Sequence, residues 1–303
     1  MPKVETKTRL QISGRLDLQR FRTKDENLIN VWSLCADVSS DSFLLSDVAN
    51  GAVKRYSYSR DQLTTVYRCR EGHWPRDIML VRTAANEEYL LLLEWCKQLE
   101  PYRNQLVVAL ANRGLFAEKQ RFYLRFTPET NDGANVTKIA KTSDQKLIIG
   151  IDSADEVDVY RASATSVELV NNFKFDIRYF CFEIYEAHGA EFLVLSDWRH
   201  TCLTTYKIVD TGNSIQFSRL LTAPISQIRR LLFFDGNLFA GSYNEADMGH
   251  AICGVSKERL NNNEIVLSSK FYFNAGIFIQ CWNVVNNNIM IFDYNSSQIL
   301  EIR

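Results

Sequence analysis

The chain has almost no net charge: 35 lysines and arginines face 36 aspartates and glutamates across 303 residues. Without net positive charge there is no long-range field to draw in nucleic acid unspecifically, so nucleic acid is not an expected partner. Long apolar runs are missing as well. The longest, such as Tyr89 to Leu93, falls far short of the ~20 residues that span a bilayer, and no membrane is expected. The opening Met1-Pro2-Lys3-Val4-Glu5-Thr6-Lys7 is charged and has no apolar run behind it, unlike a secretion signal. The seven cysteines (Cys35, Cys69, Cys96, Cys181, Cys202, Cys253 and Cys281) lie scattered singly. No two share a metal-ligand spacing, and their odd number fits reduced thiols, which points to the cytoplasm or the nucleus. A glycine-rich phosphate loop is absent. So is any legible Ser-His-Asp, Cys-His or paired-carboxylate arrangement, and the sequence assigns no cofactor, no metal and no catalytic residue.

What the chain does have is strands. Hydrophobic residues make up 46% of it, and they fall in short β-branched and aromatic runs separated by turn residues, an all-β pattern. One run recurs: a hydrophobic strand, a small or acidic residue, a polar turn, then an alternating strand. The clearest copy is Phe43-Leu44-Leu45-Ser46-Asp47-Val48-Ala49-Asn50-Gly51-Ala52-Val53-Lys54-Arg55-Tyr56; others are Phe192 to Asp197 with Cys202 to Lys207, and Ile289 to Asn295 with Gln298 to Ile302. The copies centre near residues 44, 91, 148, 193, 239 and 290, so the intervals run from 45 to 57, the length of a four-stranded blade. The last copy lacks a fourth strand, while Thr8 to Arg22 forms an orphan strand region before the first copy. A single six-bladed β-propeller over residues 1–303, closed by its N-terminal strand, joins these facts. Its blades are expected near 28–69, 74–127, 135–171, 177–221, 226–273 and 275–303 plus 8–22. A seven-bladed WD40-like propeller is the architectural rival, with about 43 residues per blade, but neither a Trp-Asp ending nor a Gly-His opening is found.

Asp47, Asn50, Val53 and Tyr56, at intervals of three, resemble the NHL repeat and repeats of the wider six-bladed superfamily that includes calcium-dependent lactonases. That resemblance implies a fold, and two functions to weigh against each other: a calcium-dependent hydrolase and an RNA-binding module. The acidic residues that end the middle strands, Asp47, Glu94, Asp152, Asp197 and Asp293, could form a calcium ring or could each cap their own turn; repetition of one local part favours capping. Glu71-Gly72-His73-Trp74-Pro75 is similar to the opening Glu-Gly-Pro stretch of the lactonases, without its proline after glycine.

The loops expected on one face hold Trp74, Arg76, Trp95, Arg103, Trp198, Arg199 and His200. Tryptophan and arginine most often anchor protein interfaces, because they bring large area at small entropic cost. The expected function is therefore a non-catalytic scaffold, monomeric by itself, that binds a protein partner through this face.

Overall fold

The computed structural model describes residues 11–37, 41–82, 87–96, 104–124, 136–141, 146–151, 155–162, 167–179, 181–187, 189–197, 202–224, 228–235, 237–244, 249–256, 269–272, 277 and 279–302. Strand β1 (Ile12–Asp17) comes first. After it the strands fall in order into four-stranded antiparallel sheets, each paired neighbour to neighbour. One sheet is β2 (Val31–Ala36), β3 (Ser42–Asp47), β4 (Ala52–Ser57) and β5 (Gln62–Arg68). The next is β6 (His73–Arg82), β7 (Glu88–Cys96), β8 (Asn104–Asn112) and β9 (Leu115–Tyr123). Then follow β10 (Val136–Lys141), β11 (Lys146–Ile151), β12 (Glu156–Ala162) and β13 (Val167–Lys174). A fourth sheet holds β14 (Cys181–Ala187), β15 (Ala190–Asp197), β16 (Cys202–Asp210) and β17 (Ile215–Pro224). A fifth holds β18 (Ile228–Phe234), β19 (Asn237–Asn244), β20 (Gly249–Ser256) and β21 (Ser269–Tyr272). The last, β22 (Ile279–Val285), β23 (Asn288–Asp293) and β24 (Gln298–Ile302), takes β1 as its fourth strand. The N-terminal strand thus pairs with the C-terminal one, Ile12 opposite Ile302 and Asp17 opposite Gln298.

The first strands of the sheets, β2, β6, β10, β14, β18 and β22, touch one another in that order, and β22 returns to β2. The sheets are therefore arranged as a β-propeller. Among the described residues every strand belongs to one of these sheets, and none is left over for a seventh. No helix is long and apolar enough to cross a membrane among the described residues.

The core lies between the sheets. Each pair of neighbouring sheets shares one apolar cluster, and alternate residues of a middle strand serve different clusters. Leu44 packs toward the β6–β9 sheet, while Phe43 and Leu45 pack toward β22–β24. Leu91 and Leu93 face the β10–β13 sheet; Leu90 and Leu92 face back toward β2–β5. A strand buried on both faces must be apolar at every position, which is why Leu90-Leu91-Leu92-Leu93 and Ile289-Met290-Ile291-Phe292 are continuous runs.

Two small polar residues recur for a local reason. The Ser46 hydroxyl accepts the Ser33 N–H at 2.8 Å, and the Ser196 hydroxyl accepts the Cys181 N–H at 3.1 Å. In each case the middle strand's serine satisfies a backbone N–H at the start of the inner strand.

Candidate functional site

The loops between second and third strands, and those joining one sheet to the next, lie at the same end of the ring as the start of each inner strand. At this end the segment 23–27, the turn Ala49–Gly51 and the connection Arg68–Trp74 enclose a cavity of about 560 Å³. Gly51 and Gly72 shape its walls from the left-handed region (φ +56° and +75°), which a glycine enters without Cβ strain.

Trp74, Arg76 and Trp95 were expected in loops. They stand in strands instead: β6 begins at His73, and Trp74 pairs directly with Trp95 of β7. Pro75 is tolerated in the strand because β6 is the innermost strand of its sheet and pairs on one side only. The register then slips between Pro75 and Asp77, so Arg76 is the bulged residue. The three side chains come together. Trp74 and Trp95 lie 5.0 Å apart between ring centroids, and the Arg76 guanidinium sits 3.9 Å from the Trp32 ring and 5.2 Å from that of Trp95. Trp32, which sequence reasoning passed over because it lies within an apolar strand, completes the stack; all four residues are half-buried. Arg103, Trp198, Arg199 and His200 lie outside the described residues.

His73, also on the cavity wall, turns inward. Its Nδ1 is 3.0 Å from Glu94 Oε2, and Arg121 donates to the same carboxylate at 2.5 Å and to Gln105 at 2.6 Å. Arg121 further binds Glu118, which also pairs with Arg70 at 2.7 Å. Tyr67 reaches from the preceding sheet to Glu118 at 3.2 Å. Burial works against the Arg121 charge, but its hydrogen bonds to Glu118 and Glu94 outweigh burial and hold it protonated. Burial drives the Cys69 thiol upward, and the Glu94 carboxylate adds to this. A thiol held neutral beside a carboxylate already engaged by an arginine is poorly placed for nucleophilic attack, and Glu94 in that pairing is poorly placed as a general base.

The other acidic strand ends behave differently from Glu94. Asp47 is fully buried, accepts from the Asn30 N–H at 3.2 Å and from Asn50 at 2.8 Å, and lies 3.2 Å from Lys54, which also pairs with Glu26. Burial raises its carboxyl above the ordinary range. Asp293 accepts from the Asn295 N–H and the Ser296 hydroxyl of its own turn. Asp293 thus caps its own turn, whereas Asp47 ties the turn's Asn50 to the Asn30 N–H and to Lys54. Asp197 is buried, and Asp152 lies outside the described residues. Among the described residues no group of three or more His, Cys, Asp and Glu is placed to hold a metal ion.

The fold is shared by many solved structures. A putative 6-phosphogluconolactonase from Bacteroides fragilis superposes with a TM-score of 0.63 at 12% identity, over 89% of this chain and 79% of that one. A luciferin-regenerating enzyme does so with a TM-score of 0.60 at 10% identity, over 91% and 92%. The β-propeller domain of Cps50 (Swd1) from Myceliophteria thermophila gives 0.59 at 13% identity, over 90% and 83%. Likeness at such identity is one of fold, and it places the chain among β-propeller proteins. No family model and no curated protein matches the sequence.

Proposed function

We propose that the chain is a six-bladed, NHL-like propeller that serves the cytoplasm or nucleus as a protein-interaction platform, binding its partner at the loop end of the ring. The observation that carries this reading is the stack of Trp32, Arg76, Trp95 and Trp74 beside an open cavity. Flat apolar area next to a planar, permanently charged donor is the composition of an interface anchor. The hydrolase reading draws no support from the described residues, since His73, Glu94 and Arg121 already satisfy one another. Trp198, Arg199, His200 and Arg103 are proposed to extend the same surface.

The test compares two tryptophans. Trp74→Ala removes an aromatic pair worth about 1 kcal/mol of stability and is expected to weaken partner binding by at least ~2 kcal/mol. Trp282 is the control: it is buried between sheets, with its indole N–H bonded to the Leu231 carbonyl at 3.2 Å. Its alanine variant should lose ~3–5 kcal/mol of stability. A partner purified on the wild-type protein is titrated against Trp74→Ala by calorimetry. Unchanged affinity would sink the reading.

A further inference from the structure

His73 commits only one of its ring nitrogens to the network behind the cavity wall. Nδ1 lies 3.0 Å from Glu94 Oε2 and 3.4 Å from an Arg121 nitrogen. The two contacts ask opposite things of Nδ1, since a carboxylate only accepts and a guanidinium only donates. The shorter one decides, because the same Arg121 nitrogen already donates to Glu94 at 2.5 Å and to Gln105 at 2.6 Å. In the neutral ring Nδ1 therefore carries the proton and Nε2 keeps its lone pair. Among the described residues nothing bonds Nε2. His73 is only 8% exposed, and it lines the cavity of about 560 Å³ at the loop end. A buried acceptor left unmet is costly, and a donor entering the cavity would meet it. The rest of the wall is charged: Asp25, Glu26 and Glu71 stand against Arg68 and Arg70. Glu26 is bound to Lys54 at 2.8 Å, and Arg70 to Glu118 at 2.7 Å. Asp25, Glu71 and Arg68 make no ion pair among the described residues. The unpaired wall groups thus carry two negative charges and one positive.

We propose that the cavity receives a lysine side chain of the partner protein, its ammonium donating to His73 Nε2 while Asp25 and Glu71 balance its charge. Trp74, on the same wall, would cover the methylene stem. An ammonium is a compact donor that a single ring nitrogen can meet. The planar guanidinium of an arginine calls instead for the paired oxygens of a carboxylate. An acidic side chain would set an acceptor against an acceptor and add a third negative charge to the wall. The inference rests on the platform reading and names the chemistry of its partner.

The experiment uses fluorescein-labelled octalysine as probe, with fully acetylated octalysine, octaarginine and octaglutamate alongside, at low salt. Acetylation removes the charge and keeps the stem. Wild-type protein should bind octalysine in preference to all three. His73→Asn, whose shorter amide reaches the place of Nδ1 but not that of Nε2, should weaken that binding about tenfold. Glu71→Gln, at an exposed position, should weaken it roughly threefold, and Arg68→Ala should tighten it by a similar factor. Because His73→Asn also touches Glu94, nitrogen-15 NMR of the wild-type imidazole at about pH 8 gives a second readout: the ring should carry its proton on Nδ1. A proton on Nε2, absent octalysine binding, equal or tighter binding of another peptide, unchanged binding by Glu71→Gln or by folded His73→Asn, or weaker binding by Arg68→Ala overturns the proposal. If octalysine fails while Trp74→Ala still weakens the purified partner, the lysine chemistry is wrong and the platform stands. If octalysine behaves as expected while the partner ignores Trp74→Ala, the lysine site stands and the platform reading falls.

Discussion

Arg121 holds together one of the buried charge clusters. It is 6% exposed, and it neutralises Glu94, which is fully buried, together with Glu118. Replacing it by methionine keeps much of the volume but leaves the buried Glu94 without its cation, and should cost about 3–5 kcal/mol in urea unfolding. Glu118 gives the same cluster a pH dependence. Burial raises its carboxyl, yet the bonds from Arg121 outweigh burial and hold it below its ordinary value. A carboxyl depressed in the folded state stabilises above its unfolded pKa of about 4.3, and that contribution disappears as pH falls through the lower folded value. Glu118→Gln should therefore flatten the loss of stability below about pH 4, as followed by melting temperature against pH. Gly150 is constrained for a steric reason. A Cβ there would meet the Phe182 ring and come within 2.8 Å of the Tyr179 hydroxyl, so Gly150→Ala should destabilise by about 1–3 kcal/mol. In the β22–β23 hairpin Asn286 and Asn287 adopt φ of +51° and +60°, the positive values that a two-residue turn demands and asparagine tolerates.

Among the elements, β1 has the most leverage. It covers the open edge of β24 from Ile12 to Asp17, with one register shift between Ile12 and Gly14, and the adjoining Leu18 is buried with Phe43 and Phe292. Deleting residues 1–17 would expose a strand edge ready to pair with another molecule. The truncated chain should melt well below the parent and elute as larger species in size-exclusion chromatography; a monomer of unchanged stability would show that the seam is dispensable. Hairpin tips supply a second kind of contact between sheets. Arg55 of β4 donates to the Gly114 carbonyl in the β8–β9 turn, and Arg161 of β12 donates to the Gly212 carbonyl beyond β16. An arginine on a third strand thus reaches the hairpin of the following sheet twice, a repeat too sparse to be seen in the sequence.

At the scale of the whole molecule, stability is shared around the ring. Every apolar cluster joins two neighbouring sheets, and the cluster holding Leu18, Phe43 and Phe292 closes the circle. No sheet keeps its core when a neighbour unfolds. The chain should consequently melt in one calorimetric transition, with the calorimetric enthalpy equal to the van't Hoff value. Two resolved transitions would mean that part of the ring folds alone.

The amino-acid sequence by itself determined the all-β class, the recurring strand–turn–strand unit and the pairing of the first strand with the last. The first two are local, since apolar runs and turn residues are readable within a few residues of one another; the closing pair followed from counting, one strand missing from the final copy and one spare at the start. It also put Trp74, Arg76 and Trp95 on one expected loop face together with Arg103, Trp198, Arg199 and His200. Only the tertiary structure decided that Trp74, Arg76 and Trp95 sit in strands, that Trp32 joins them, and that Glu94 is bound to His73 and Arg121, Asp47 to Asn30 and Lys54, while Asp293 caps its turn. Acidic residues at equivalent places met different neighbours, because a propeller brings each strand end against residues from the next sheet, and spacing along the chain carries no record of that contact.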